Sequence, residues 1–258
     1  MNRRAFIQAA GATGAGLSGQ LSWSNTDQSV TALLTVLEDS EREKLPRELV
    51  RRIRAGLSYQ QLFAALSWAA VRNVQPYPDV GYKYHSVMVL HSINATTQHL
   101  SADDRWLPIV WAADYFKSAQ AQERAGSAWR LPARRVMSVG GAPAARGMLI
   151  AALDNWDRDA ADAAIVNYAA TAPTGQIFSL LFAYGARDLR EIGHKAIAVA
   201  NAHRLVTLLG SGQSEAILRS TVAALQNSDA GPNPASHDLE SDRPWRRNQQ
   251  RLREIPET

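Results

Sequence analysis

Apolar residues recur at three- and four-residue spacing along most of residues 30–227, the period of helices that pack on one side. Residues 30–39 set Leu33, Leu34, Val36 and Leu37 in one stripe. Residues 46–54 do the same with Leu49, Val50 and Ile53, behind Pro46 at a first-turn position. Ser58 and Gln61 have the spacing of a capping box, and the helix they open runs to Val71 through Leu62, Phe63, Leu66 and Trp68. Pro76 and Pro78 break the next stretch. Further helices are predicted over 81–99, 104–123, 143–155, 157–170, 176–184, 189–209 and 214–226, with Pro108 and Pro143 in first turns and Asp157 as a cap. Residues 125–142, with Pro132 and Gly140-Gly141, read as a connection placed to cover a site.

No stretch alternates as a strand does, so the expected fold is all-α: a compact multi-helix bundle or an array of helical hairpins, with about nine or ten helices. The expected organisation is a leader over 1–25, one helical domain over 30–227 and an extended polar tail over 228–258, with Trp245 as its anchor to the body.

The chain has 258 residues, of which 46% are hydrophobic and 20% charged, ordinary for a globular protein. Its net charge of +4 is a weak argument for nucleic acid. Arg3 and Arg4 lie at the very start, the tail from Asp238 balances five arginines with five acids, and no basic stripe interleaves with aromatics. A nucleic-acid partner is therefore not expected. The absence of cysteine excludes disulfides, thiolate metal sites, iron–sulfur clusters and c-type haem attachment. No nucleotide-binding glycine motif occurs, nor an apolar run long enough to span a membrane. The pattern does not reveal an oligomeric state.

The opening Asn2-Arg3-Arg4-Ala5-Phe6-Ile7-Gln8, followed by an Ala/Gly stretch, resembles a twin-arginine export signal. Asn2, Ile7 and Gln8 depart from the usual Ser/Thr, Leu and Lys. The resemblance implies contact with export machinery, a periplasmic or otherwise exported location, and folding around a cofactor before export. The alternative is a fortuitous arginine pair on a cytoplasmic protein.

Polar residues set within apolar helices carry the candidate chemistry. Segment 81–99 holds Lys83, Tyr84, His85, His91 and His99, half of the six histidines, in a stretch apolar on almost every side. On a regular helix His85 and His99 stand roughly 21 Å apart, and His85 and His91 about 9 Å apart on different sides. A metal would thus take one ligand from this helix and the rest from others. In 104–123 the spacing Leu107, Val110, Trp111, Asp114, Ser118 puts Asp114 in the apolar stripe, where a carboxylate needs Lys117, an arginine or a metal. In 189–209, Glu191 and His194 form Glu-x-x-His on one face, with Lys195, Asn201 and His203 as further polar interruptions.

These residues define the expected site: His91, Asp114, His194 and Lys195 as catalytic groups; Lys83, Tyr84, Asn201 and His203 toward substrate; and His85, His91, Asp114, Glu191 and His194 as ligands of one non-haem iron or other divalent metal. The segments Lys83-Tyr84-His85, with His91, and Ile192-Gly193-His194-Lys195 resemble questin-oxidase-like proteins, helical oxidoreductases with histidines spread over core helices. The resemblance implies oxidation of an organic substrate, aromatic ones included. Three readings follow: a metal-dependent enzyme acting on a small organic substrate, a metal-dependent or histidine-based hydrolase, and a non-catalytic helical adaptor whose buried polar residues fix helix registry.

Overall fold

The computed structural model describes residues 28–77, 83–138, 140–210 and 214–227, together with 238, 240, 243–251 and 254. Among them no strand occurs. The expected leader, residues 81–82 of the predicted helix 81–99 and the side chain of Trp245 lie outside the described residues.

The first half of the chain forms α1 (Gln28–Asp39), α2 (Leu45–Arg54), α3 (Tyr59–Asn73), α4 (His85–Met88), α5 (Leu90–Thr97) and α6 (Trp106–Ala125). The capping box at α3 is present in both directions: the Gln61 amide donates to Ser58 Oγ at 3.2 Å and the Ser58 amide to Gln61 Oε1 at 3.0 Å. Helix α3 buries Leu62, Phe63, Leu66, Ala69, Ala70 and Val71 at once and packs against α1, α6 and the second half. This helix, rather than 81–99, occupies the centre of the first half. The predicted helix 81–99 appears as a turn at Lys83-Tyr84 and then α4 and α5. Val89 between them keeps right-handed helical angles, and the helix ends before His99.

Helix α6 corrects a sequence expectation. Its buried face is Ile109, Ala112, Ala113, Phe116, Ala119, Gln120 and Glu123, whereas Leu107 is 67% exposed and Trp111 52% exposed. The larger apolar side chains suggested a stripe through Asp114. Small alanines form the inner face instead, because they let α6 approach its neighbours closely. Lys117 is also buried. Its ammonium donates to the Leu37 and Glu38 carbonyls at 3.1 and 2.9 Å and to Gln120 Oε1 at 2.6 Å, so it closes the C-terminal end of α1.

The second half forms α7 (Ala142–Asp154), α8 (Arg158–Thr171), α9 (Thr174–Arg187), α10 (His194–Leu209) and α11 (Ser214–Leu225). Asp157 caps α8 as expected, accepting from the Ala160 amide at 3.0 Å. Helix α7 packs on α8, α8 on α11, and α10 on both α9 and α11. The halves join where α11 meets α3 and where α10 meets α4 and α5. In the polar tail a helix α12 (Arg243–Arg251) forms, where an extended chain was expected. Its residues are strongly polar, and Asp238 pairs with Arg243 and Arg246 at its start.

Residues 126–141 cross between the halves as a strap without helix among the described residues. It is pinned along its length. The Leu131 amide donates to the Arg72 carbonyl at 3.0 Å, Arg130 bonds Asn73, Arg134 pairs with Glu215, and Arg219 reaches the Pro132 carbonyl at 2.8 Å. At its start the buried Glu123 carboxylate accepts from Ser127, from the Trp129 and Gln75 amides at 3.2 Å each, and from Lys83 at 3.0 Å. Burial pushes this carboxyl upward, but those four donors outweigh it and hold it below the usual range.

Close packing also sets α9 against α10. A Cβ added to Gly185 would stand 3.0 Å from Val199 Cγ2 and 3.3 Å from the Lys195 carbonyl oxygen, whereas one added to Gly147 on α7 meets nothing within 4 Å. Gly185→Ala is expected to cost about 1–3 kcal/mol. Gly147→Ala should be neutral or stabilising by up to about 1 kcal/mol. Thermal melts check this: at roughly 2–4 °C per kcal/mol the two substitutions should move the midpoint in opposite directions, or the second not at all.

Candidate functional site

The carboxylate at 114 is not part of an internal centre. Asp114 forms a two-point ion pair with Arg42 of the α1–α2 connection, Nε to Oδ1 and Nη2 to Oδ2 both at 2.8 Å, with its side chain 36% exposed. The guanidinium holds this carboxyl below its ordinary range. Lys83 is bound to Glu123. Tyr84 is buried with its hydroxyl 3.1 Å from Ser220 Oγ on α11, and burial pushes the phenol up to about 12, so it stays neutral. His91 is half-buried on α5; burial lowers its pKa and the charge of Arg204 on α10 lowers it further. Asn201 accepts from Arg204 at 3.4 Å. His203 packs edge-on to Phe178 and Phe182 of α9, with ring centres 4.8 and 5.6 Å away. These residues serve separate contacts.

Residues 188–193 hold the unexpected geometry. Sequence spacing predicts a helix from 189, but α10 begins only at His194. Before it, Glu191 has φ +55, Ile192 φ +49 and ψ +35, and Gly193 φ +81 and ψ +16, a left-handed turn of three residues. Only glycine enters this region without a Cβ clash, and each L-residue there costs roughly 1–3 kcal/mol. Ile192 is β-branched and 77% exposed, so its own packing does not compensate. Glu191 and His194 therefore do not share a helical face. Instead, the Glu191 carbonyl receives the His194 Nδ1 proton at 2.6 Å. Because a carbonyl only accepts, Nδ1 carries hydrogen and Nε2 keeps the lone pair in the neutral ring.

A buried ion cluster holds that turn. The Asp188 carboxylate accepts from Arg190 through Nε at 2.7 Å, Nη2 at 2.6 Å and the backbone amide at 3.2 Å, and from the Lys195 ammonium. Lys195, with no exposed surface, also donates to the Leu225 carbonyl at the end of α11 at 2.9 Å. Both cations face the Trp156 ring, at 5.7 Å for Arg190 and 4.6 Å for Lys195. Trp156 itself sits at φ +58, between α7 and α8. Burial pushes the Asp188 carboxyl up, but its two cations bring it below the ordinary range. For Lys195 burial prevails over Asp188 and lowers the ammonium to about 8.

One pair of expected site residues does meet. His85 at the start of α4 and His194 at the start of α10 lie with ring centres 5.4 Å apart and planes at 72°. His85 Nδ1 is buried without a hydrogen-bond partner. A buried ring nitrogen without a partner is uncommon and calls for a chemical explanation. Of the five expected ligands, the structure brings together His85 and His194. Among the described residues no three His, Asp or Glu side chains are grouped to hold a metal.

The sequence reading missed Asp188, Arg190 and Trp156 around the turn, and Glu123 behind Lys83. Gly193 inside an apparent helix, behind the capping residue type Asp188, was the available signal for the turn. Nothing local marks Glu123, whose partners lie far along the chain. No family model, no curated protein and no solved structure matches this chain. Among the described residues no helix is long and apolar enough to cross a membrane.

Between about pH 8 and pH 10 the unfolded chain binds more protons at position 195 than the folded chain, so this group makes the fold more stable as pH rises. Above pH 10 the buried Tyr84 phenol opposes it, since the folded state keeps that proton up to about 12. Lys195→Met removes one partner of a buried pair and should cost about 3–5 kcal/mol. In urea melts the gap between wild type and this variant should widen from pH 8 to 10. A gap that stays constant contradicts the proton uptake assigned here.

Proposed function

We propose that this chain is an enzyme that acts on a small organic substrate at the His85–His194 pair. The observation that carries the reading is the meeting of two imidazoles from distant segments, one with a buried unpartnered nitrogen and the other with its tautomer fixed by the Glu191 carbonyl. His194 Nε2 is the lone pair available to take a proton from substrate or from an attacking water. His85 is the second group able to hold or return a proton. Lys195, Asp188 and Arg190 act through the turn and are positioning residues. The two segments whose sequences resemble questin-oxidase-like proteins are those that carry His85 and His194, which supports an organic substrate. An exported location, from the Arg3-Arg4 opening, belongs to the same proposal.

The adaptor reading is favoured by a different observation. Asp114 and Glu123 each sit in ion pairs that tie distant segments, as registry contacts do. A turnover screen separates the two. The full chain is incubated with a panel of small esters, phenols and ketones, and products are read by mass spectrometry for wild type, His85→Ala, His194→Ala and Arg42→Ala. Loss of a general base costs roughly 100-fold or more in rate. The expected result is turnover in wild type and Arg42→Ala, with a loss of that size in the histidine variants at unchanged helicity. No turnover by wild type, or full turnover without His194, leaves the adaptor.

A further inference from the structure

We propose that the outer face of α2, with the adjoining start of α6, docks on the surface of an anionic lipid bilayer. The inference does not depend on the His85–His194 reading. Helix α2 turns Leu45 and Leu49 inward and packs along α6. Its opposite side carries Arg47, Arg51 and Arg54 at four- and three-residue spacing, all exposed. With Pro46 and Val50 they line an open groove. Arg51 is held by Glu48 at 2.7 Å. Among the described residues the guanidinium groups of Arg47 and Arg54 meet no carboxylate. Over its 10 residues α2 has four arginines and one glutamate. Helix stability does not account for this pattern. Basic residues suit the last turn, but Arg47 lies in the first, near the positive end of the dipole, and one turn from the like charge of Arg51. An anion outside the helix offsets both penalties.

The adjoining surface selects the kind of anion. Arg42 bound to Asp114 at one end of α2, and Tyr59 packed on Trp106 beyond the other, set α2 antiparallel along the first turns of α6. On that stretch Leu107 and Trp111 turn outward, and the Trp111 ring stacks on Tyr115 at 5.2 Å. Arginines beside an exposed indole and aliphatic side chains match the layers of a bilayer surface. The guanidinium groups meet lipid phosphates, the indole lies at the headgroup boundary, and the aliphatic carbon reaches the acyl chains. An acidic protein segment would answer the charge as well. Among the described residues, however, the groove is lined by α2 alone, so no second wall encloses a peptide. Of the acids close by, Glu41, Glu48 and Asp114 are each bound to a cation, and Glu43 opposes the arginines from the α1–α2 connection.

Co-sedimentation of the full chain with lipid vesicles tests the face. One set is phosphatidylcholine alone and the other contains about one third phosphatidylglycerol. An arginine at an anionic surface raises partition roughly fivefold. Wild type is expected to sediment with the anionic vesicles, to leave them at high salt, and to ignore the neutral ones. The pair Arg47→Gln with Arg54→Gln should lower partition by roughly tenfold or more. Trp111→Ala should lower it by roughly threefold or more through lost apolar contact. The pair Arg135→Gln with Arg146→Gln removes the same charge from the second half and should change it little. All variants alter exposed side chains, and unchanged thermal melts confirm that they fold. No sedimentation by wild type, equal binding to both vesicle types, or an equal loss in the control pair overturns the proposal. Retention on immobilised polyglutamate through Arg47 and Arg54, without vesicle binding, assigns the face to an acidic protein and overturns it too. None of these readouts involves turnover, so the outcome is separate from that of the enzyme reading.

Discussion

The buried contact of Lys195 with Asp188 supports much of the second half of the molecule. It joins the segment that leaves α9, the first turn of α10 and, through the Leu225 carbonyl, the end of α11. Ions in a protein interior lose hydration worth several kcal/mol each, and only close geometry with further donors offsets that loss. Here the offset comes from the Arg190 fork, the Leu225 carbonyl and the Trp156 face. The same contacts keep Glu191 and Ile192 in a backbone region that neither residue favours. Local strain and buried charge are therefore two sides of one arrangement, and its product is the placement of a single imidazole.

The first half uses buried charge differently. Among the described residues Lys117 pairs with no carboxylate; it satisfies carbonyls at the end of α1. Glu123 gathers the end of α3, the approach to α4 and the start of the strap. Each of these contacts terminates a helix or begins a connection. Alanine-rich helices pack closely and offer little side-chain surface to lock one register over another. Charged residues at the ends of the helices supply that choice, since a shifted register would leave a charge without its partner.

Much of the helical order was legible in the sequence, because apolar spacing, the Ser58–Gln61 box, Pro46 and Asp157 act within a few residues of where they stand. The face of α6 was not, since Leu107 and Trp111 outweigh alanine in any reading by size while Ala112, Ala113 and Ala119 face inward. The start of α10 was not, since Leu189 and Ile192 fit a helical stripe that the backbone does not follow. The pairing of charges was least legible. Arg42 and Asp114 are 72 residues apart, and the helices that bring them together leave no local mark of it. Of the expected site, His85 and His194 meet because α4 lies on α10, a relation between helices that no single helix encodes.

The left-handed turn also bears on how this protein can change. Glycine at 192 would remove the clash between a branched side chain and its backbone, a change that by itself favours the folded form. It would equally widen the set of conformations open to the residues ahead of His194. Relief of backbone strain and a fixed placement of the His194 imidazole therefore pull in opposite directions at this position.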